Sequence, residues 1–116
     1  MAELSFFAAE CMEFPEGFGE LYENLTLAEA VKAYGKICGR NRSYGPGIGF
    51  VLQDESIPDY SDSRWPLYQG RGIAQDMIDL IPAYRDHPLV KQAVEDIKPY
   101  LKKLERAGKK KCGLER

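Results

Sequence analysis

The chain has 116 residues, 44% of them hydrophobic and 29% charged, and a formal net charge of −2. That length fits one domain able to bury a continuous core without disulfides or a structural metal, and the composition is ordinary for a globular protein. No run of about 18 apolar residues occurs, which excludes a membrane-spanning helix, and Met1-Ala2-Glu3 does not open a secretory signal, so the expected compartment is the cytoplasm.

Leu4 to Phe14 fits two patterns. Leu4, Phe6, Ala8, Met12 and Phe14 alternate as in a strand, while Leu4, Phe7, Ala8, Cys11 and Met12 fit a helix. Aromatic content and the stop at Pro15 favour the strand. Pro15 to Gly19 reads as a turn. Thr26-Leu27-Ala28-Glu29 is a capping box, in which each end residue bonds the backbone N–H of the other. Leu27, Ala30, Val31, Tyr34, Ile37 and Cys38 then form an apolar stripe at helical spacing, ended by Gly39. Lys32, Lys36 and Arg40 fall four residues apart and share the exposed face.

A polar loop from Arg40 to Gly45 leads into a strand in which Ile48, Phe50 and Leu52 alternate with Gly49 and Val51. Gly49 implies a bulge or a close backbone approach. Asp54 to Ser63 reads as an acidic loop. Trp65 to Tyr68 forms a short strand, and Pro66 places it at an edge. Ile73, Met77, Leu80 and Ile81 predict a helix closed by Pro82. Asp86 is the expected N-cap of a further helix with Pro88 in its first turn. Its stripe is Val90, Ala93, Val94, Ile97, Leu101 and Leu104, with a kink or fresh start near Pro99.

The order β-α-β-β-α-α gives an α+β fold: a small antiparallel sheet of about three strands with about three helices packed on one face. Residues 1–107 make the single domain, and residues 108–116 form a basic tail expected to fray.

Catalytic motifs are absent. Cys11 and Cys38 read as small core residues and Cys112 as an exposed thiol; no CxxC pair suggests zinc or redox chemistry. His87, the single histidine, reads as a surface or capping residue rather than a base. Gly45-Pro46-Gly47-Ile48-Gly49 lacks the helix and Lys-Ser/Thr pair that a phosphate loop needs after its glycines. Asp54, Glu55, Asp59 and Asp62 lack the spacing of a calcium loop and read as a solvated acidic loop. A metal-dependent nuclease built on Asp54, Asp59 or Asp62 is the weakest functional reading. No cofactor is expected.

Charge is the stronger signal. Glu13, Glu16, Glu20 and Glu23 belong to an N-terminal stretch of 30 residues that holds no Lys or Arg. Lys32, Lys36 and Arg40 follow, and lysines crowd the C-terminal end. Tyr44, Tyr60 and Tyr68, with Arg42, Arg64 and Arg71, resemble a protein-binding surface. These seven residues (the four glutamates, Lys32, Lys36 and Arg40) are the candidate partner-binding set.

Leu21-Tyr22-Glu23-Asn24-Leu25-Thr26-Leu27-Ala28-Glu29-Ala30, Gly47-Ile48-Gly49-Phe50-Val51-Leu52 and Ile81-Pro82-Ala83-Tyr84-Arg85-Asp86-His87-Pro88-Leu89-Val90-Lys91-Gln92-Ala93 together resemble small accessory domains of mobile elements in gut Firmicutes. Such domains, loosely YodL-like, occur in large polyvalent proteins of conjugative elements. The resemblance carries no catalytic residues. It implies a setting in which small acidic proteins resemble anti-restriction or anti-CRISPR factors that block a nuclease. Carboxylates could then occupy a Lys/Arg channel meant for phosphates. The implied partner is a type II CRISPR effector nuclease or another nucleoprotein complex. The alternative is an accessory module of a conjugation or DNA-processing system, which binds nucleic acid through Lys32, Lys36, Arg40 and the basic tail.

Overall fold

A computed structural model describes residues 2–10, 21–39, 45–57, 63–70 and 72–114, with side chains described as far as residue 107. The strands are β1 (Glu3–Ala9), β2 (Leu21–Leu25), β3 (Gly47–Gln53), β4 (Arg64–Gln69) and β5 (Gly72–Ile73). The helices are α1 (Leu27–Cys38), α2 (Gln75–Asp79), α3 (Pro82–Arg85), α4 (Pro88–Ile97) and α5 (Leu101–Leu114), with a 3-10 turn at Lys98–Tyr100 before α5. The fold is α+β. Its antiparallel sheet has five strands in the order β2-β1-β3-β4-β5, against the three expected.

The sheet is organised by β1 and β3, which pair in unbroken register from Glu3↔Gln53 to Ala9↔Gly47. Strand alternation puts Leu4, Phe6 and Ala8 of β1 beside Leu52, Phe50 and Ile48 of β3 on one face. That face meets the helices: Ile48, Phe50 and Leu52 share the main buried cluster with Ala30, Tyr34, Tyr84, Val90 and Ile97. Full burial of a side chain such as Phe50 stabilises the fold by about 1.5–3 kcal/mol. Ala8, Ala33 and Ile37 form a second cluster where α1 crosses β1, with Tyr22 and Leu25 of β2 beside them.

The two additional strands are short and irregular. In β2, Asn24 has φ 59°, and the β1–β2 register slips between Phe6 and Ala8. Asn tolerates this left-handed conformation, and the slip breaks the two-residue period by which a strand is recognised. β5 is only two residues long.

Gly49 satisfies both expectations placed on it. A Cβ there would collide with the Phe7 ring and the Trp65 carbonyl oxygen. The β3–β4 register also slips at this point, from Ile48↔Tyr68 to Gly49↔Pro66. Leu67 is the extra residue, and it enters the main core together with its neighbour Tyr68. Pro66 was expected on an edge strand. β4 is instead flanked on its far side by β5, which pairs with Tyr68 and Gln69, so that among the described residues Pro66 has no strand partner on that side.

Helix α1 follows the sequence closely. The Thr26 N–H donates to Glu29 Oε1 at 2.9 Å, and the Glu29 N–H donates to Thr26 Oγ1 at 3.2 Å. Cys38 is buried as expected, and Cys11 lies outside the described residues. The second predicted helix is corrected. Ile73 belongs to β5, and Met77 and Leu80 are 39% and 68% exposed, while Ile78 and Ile81 are buried. Once β5 has taken Ile73, the short helix α2 turns Ile78 inward, Ile81 is buried in the extended link that follows, and Pro82 opens α3 at a first-turn position. Pro99 behaves as expected: α4 ends at Ile97 and α5 starts at Leu101.

Replacing Gly49 with Ala should destabilise the protein by about 1–3 kcal/mol or more through overpacking. Chemical denaturation monitored by Trp65 fluorescence would measure this; an unchanged midpoint would mean that the Phe7 ring yields freely.

Candidate functional site

Glu23 lies on β2, the terminal strand of the sheet, and is exposed. Its Oε2 accepts from Arg64 Nη2 of β4 at 2.7 Å, with the two side chains 36% and 41% exposed for Arg and Glu. The pair reaches across the sheet face opposite the described helices and, with Ser5, Val51 and Gln53, lines a depression of about 200 Å³. Arg64 therefore holds the Glu23 carboxylate in place, as an exposed ion pair of small energetic weight.

Lys32 and Lys36 are exposed on α1, one turn apart and opposite its buried stripe. Helix α5 packs against α1 and exposes Lys102, Lys103 and Arg106. The outer surfaces of two packed helices thus carry five described cations. Glu13, Glu16, Glu20 and Arg40 lie outside the described residues, as do Tyr44, Tyr60, Arg42 and Arg71. Tyr68, expected at the surface, is 1% exposed, because the β4 bulge turns it inward beside Leu67. Burial pushes its hydroxyl pKa up, with Glu105 and Cys38 adding to the effect. Its ring meets Tyr34 edge to face, with centroids 5.7 Å apart.

One polar contact was not visible in the sequence. His87 Nε2 lies 2.6 Å from Asp54 Oδ2, with side chains 12% and 16% exposed for His and Asp. His87 is the N-cap of α4, the position expected for Asp86: its Nδ1 accepts from the Leu89 N–H at 3.1 Å. Asp86 instead ends α3 and pairs with Arg85 at 3.5 Å. An Nδ1 that accepts must keep its lone pair, which assigns the ring proton to Nε2 and makes Nε2–H the donor to Asp54. Both ring nitrogens are therefore committed to structure. A general base needs one of them available to a substrate.

Asp54 is held from three directions. Its Oδ1 accepts from the Ser56 hydroxyl at 2.7 Å and from the Ser56 N–H at 2.9 Å, and its Oδ2 faces His87. These contacts, those from Ser56 foremost, lower its pKa from the ordinary 3.8 to about 2. Among the described residues no group of three or more His, Cys, Asp or Glu side chains is arranged to hold a metal ion. Asp59 and Asp62, the other candidate carboxylates for one, lie outside those residues.

No protein family, curated protein sequence or solved structure matches the chain.

The folded pKa of Asp54 lies below its unfolded value, so this carboxylate stabilises the fold above about pH 3.8, and the contribution is lost as the pH falls through about 2. An Asp54→Asn variant should lose less stability than the parent over that window. Parallel acid titrations by circular dichroism would check it; identical acid slopes would mean the Ser56 and His87 contacts do not favour the charged form.

Proposed function

We propose that this chain works by binding a protein, and that the partner is a type II CRISPR effector nuclease which it inhibits as a counter-defence factor. The observation that carries the binding reading is the position of Glu23. It is an exposed carboxylate on a terminal strand, in the stretch where the acidic N-terminal third of the sequence enters the sheet. The nuclease as partner rests on the resemblance to mobile-element accessory domains. The occupation of both His87 ring nitrogens favours binding over acid–base chemistry at the one histidine.

In this reading the glutamates enter a channel lined with Lys and Arg that otherwise receives phosphates. Complementary potential would speed encounter and set register. Glu23 exchanges Arg64 for a cation of the partner, a low-cost exchange because the pair is half exposed.

The lysines of α1 and α5 favour a second reading, an accessory module that contacts nucleic acid. Lys32, Lys36, Lys102, Lys103 and Arg106 are exposed on two adjoining helices. Binding through them would weaken steeply with salt, because each phosphate contact releases a counterion.

DNA cleavage by a type II CRISPR nuclease, with this protein added before or after guide loading, tests the first reading. Inhibition is expected, and the Glu20→Lys, Glu23→Lys double variant should need roughly tenfold or more protein for the same effect. Inhibition unchanged by the reversal would remove the glutamates from the interface. No inhibition by the parent, together with DNA or RNA binding that Lys32→Glu, Lys36→Glu abolishes, would replace the first reading with the second.

A further inference from the structure

The N-terminal half of β1 lies beside α4, and the two flank an open, shallow groove of about 330 Å³. β2 reaches along β1 only to the Phe6↔Leu25 pairing. Glu3, Leu4 and Ser5 therefore pair with β3 on one side and with no described strand on the other. Such an edge is a ready template for one more strand. Leu4, Phe6, Leu89 and Ala93 give the groove its apolar lining, and Leu4, Phe6 and Leu89 are only partly buried. The charged residues lining it are Glu3 and Asp96, both exposed, and no described cation joins them. Gln92 Nε2 donates to Asp96 Oδ1 at 2.7 Å and steadies that carboxylate.

We propose that this groove docks an extended segment of a partner protein in which apolar residues alternate with Lys or Arg, laid beside Glu3–Ser5 in line with β2. An extended segment satisfies the open backbone edge, which a helix or a small molecule does not. Alternation places every second side chain over Leu4, Phe6 and Leu89, on the side where Asp96 rims the groove, while the intervening cations fall on the opposite sheet face, the face of Glu3. The charge also argues against a second copy of this chain. Self-pairing along the same edge brings Glu3 and Asp96 of one copy near those of the other, and like charges there oppose association. The Asp54–His87 contact links the elements on either side of the groove, because Gln53, next to Asp54, pairs with Glu3 and His87 starts the helix that bears Leu89. The inference names a surface and a peptide chemistry and does not depend on the partner being a nuclease.

Fluorescence anisotropy with a labelled hexapeptide of alternating Val and Lys, added to the full chain, tests this. Binding is expected, with amide chemical-shift changes concentrated at Glu3–Phe6 and Leu89–Asp96. A peptide of alternating Val and Glu should bind roughly tenfold more weakly or worse. The Glu3→Lys, Asp96→Lys variant changes two exposed side chains and should reverse that order, whereas Asp76→Lys, an exposed position on α2 away from the groove, should leave it intact. The proposal is overturned by failure of the Val/Lys peptide to bind, by shifts confined to other elements, or by a preference that the double variant leaves unchanged. Sedimentation showing a dimer that excludes the peptide would equally overturn it and assign the edge to self-pairing.

Discussion

The Phe7 ring rests against Gly49, and this close approach governs how the sheet is put together. Only a residue without a Cβ can pair with Phe7 across β1 and β3 while the Trp65 carbonyl presses from β4. The crowding coincides with the slip in β3–β4 register. The slip in turn sends both Leu67 and Tyr68 into the main core, where strict alternation would send one of them outward. Trp65 meets Tyr84 of α3 edge to face and Phe50 meets it at a tilt, with ring centroids 5.6 and 5.5 Å apart, so the position of the short helices follows from the same point.

A second constraint links sheet and helices through polar atoms. Asp54 follows directly on β3, and His87 caps α4, so their contact ties the end of the central strand to the start of a helix that packs against β1. The cap requires an Nδ1 lone pair, and the Asp54 contact uses the Nε2 proton, so one neutral tautomer serves both. The arrangement has the look of a catalytic Asp–His dyad, yet the free nitrogen that such a dyad offers its substrate is here bonded to a backbone amide. The structural role of His87 accounts for all its contacts.

What could be read from the sequence was local, and what could not was set by register or by distant partners. The capping box at Thr26 and Glu29, the stripe of α1 and the restart at Pro99 each depend on residues within about one or two turns of one another. The His87 cap was half legible: a capping role suits its place before Pro88, but Asp86 is the more usual capping residue and draws the assignment to itself. β2 escaped because Asn24 disrupts its alternation, and β5 because two residues carry no period. Tyr68 appears beside polar loop residues in the sequence, and only the bulge at Leu67 explains its burial. Asp54 and His87 are 33 residues apart, with no shared motif to connect them. Of the candidate binding residues, Lys32 and Lys36 fall where helical spacing places them, while the Arg64 partner of Glu23 sits on a strand whose register no local pattern reveals.

The distribution of charge around the sheet edges fits the same physical logic. β2, at one end of the sheet, is short, irregular at Asn24 and charged at Glu23, features that discourage edge-to-edge association. β1 from Phe6 towards Glu3 is different: it is in full register with β3, with apolar side chains close by, and among the described residues the charged groups at its rim are carboxylates. Carboxylates repel a second copy, and they equally attract a strand of opposite charge. Carboxylates at such an edge therefore act in two ways at once: the charge that opposes pairing with a second copy is the same charge that would favour a strand of opposite sign.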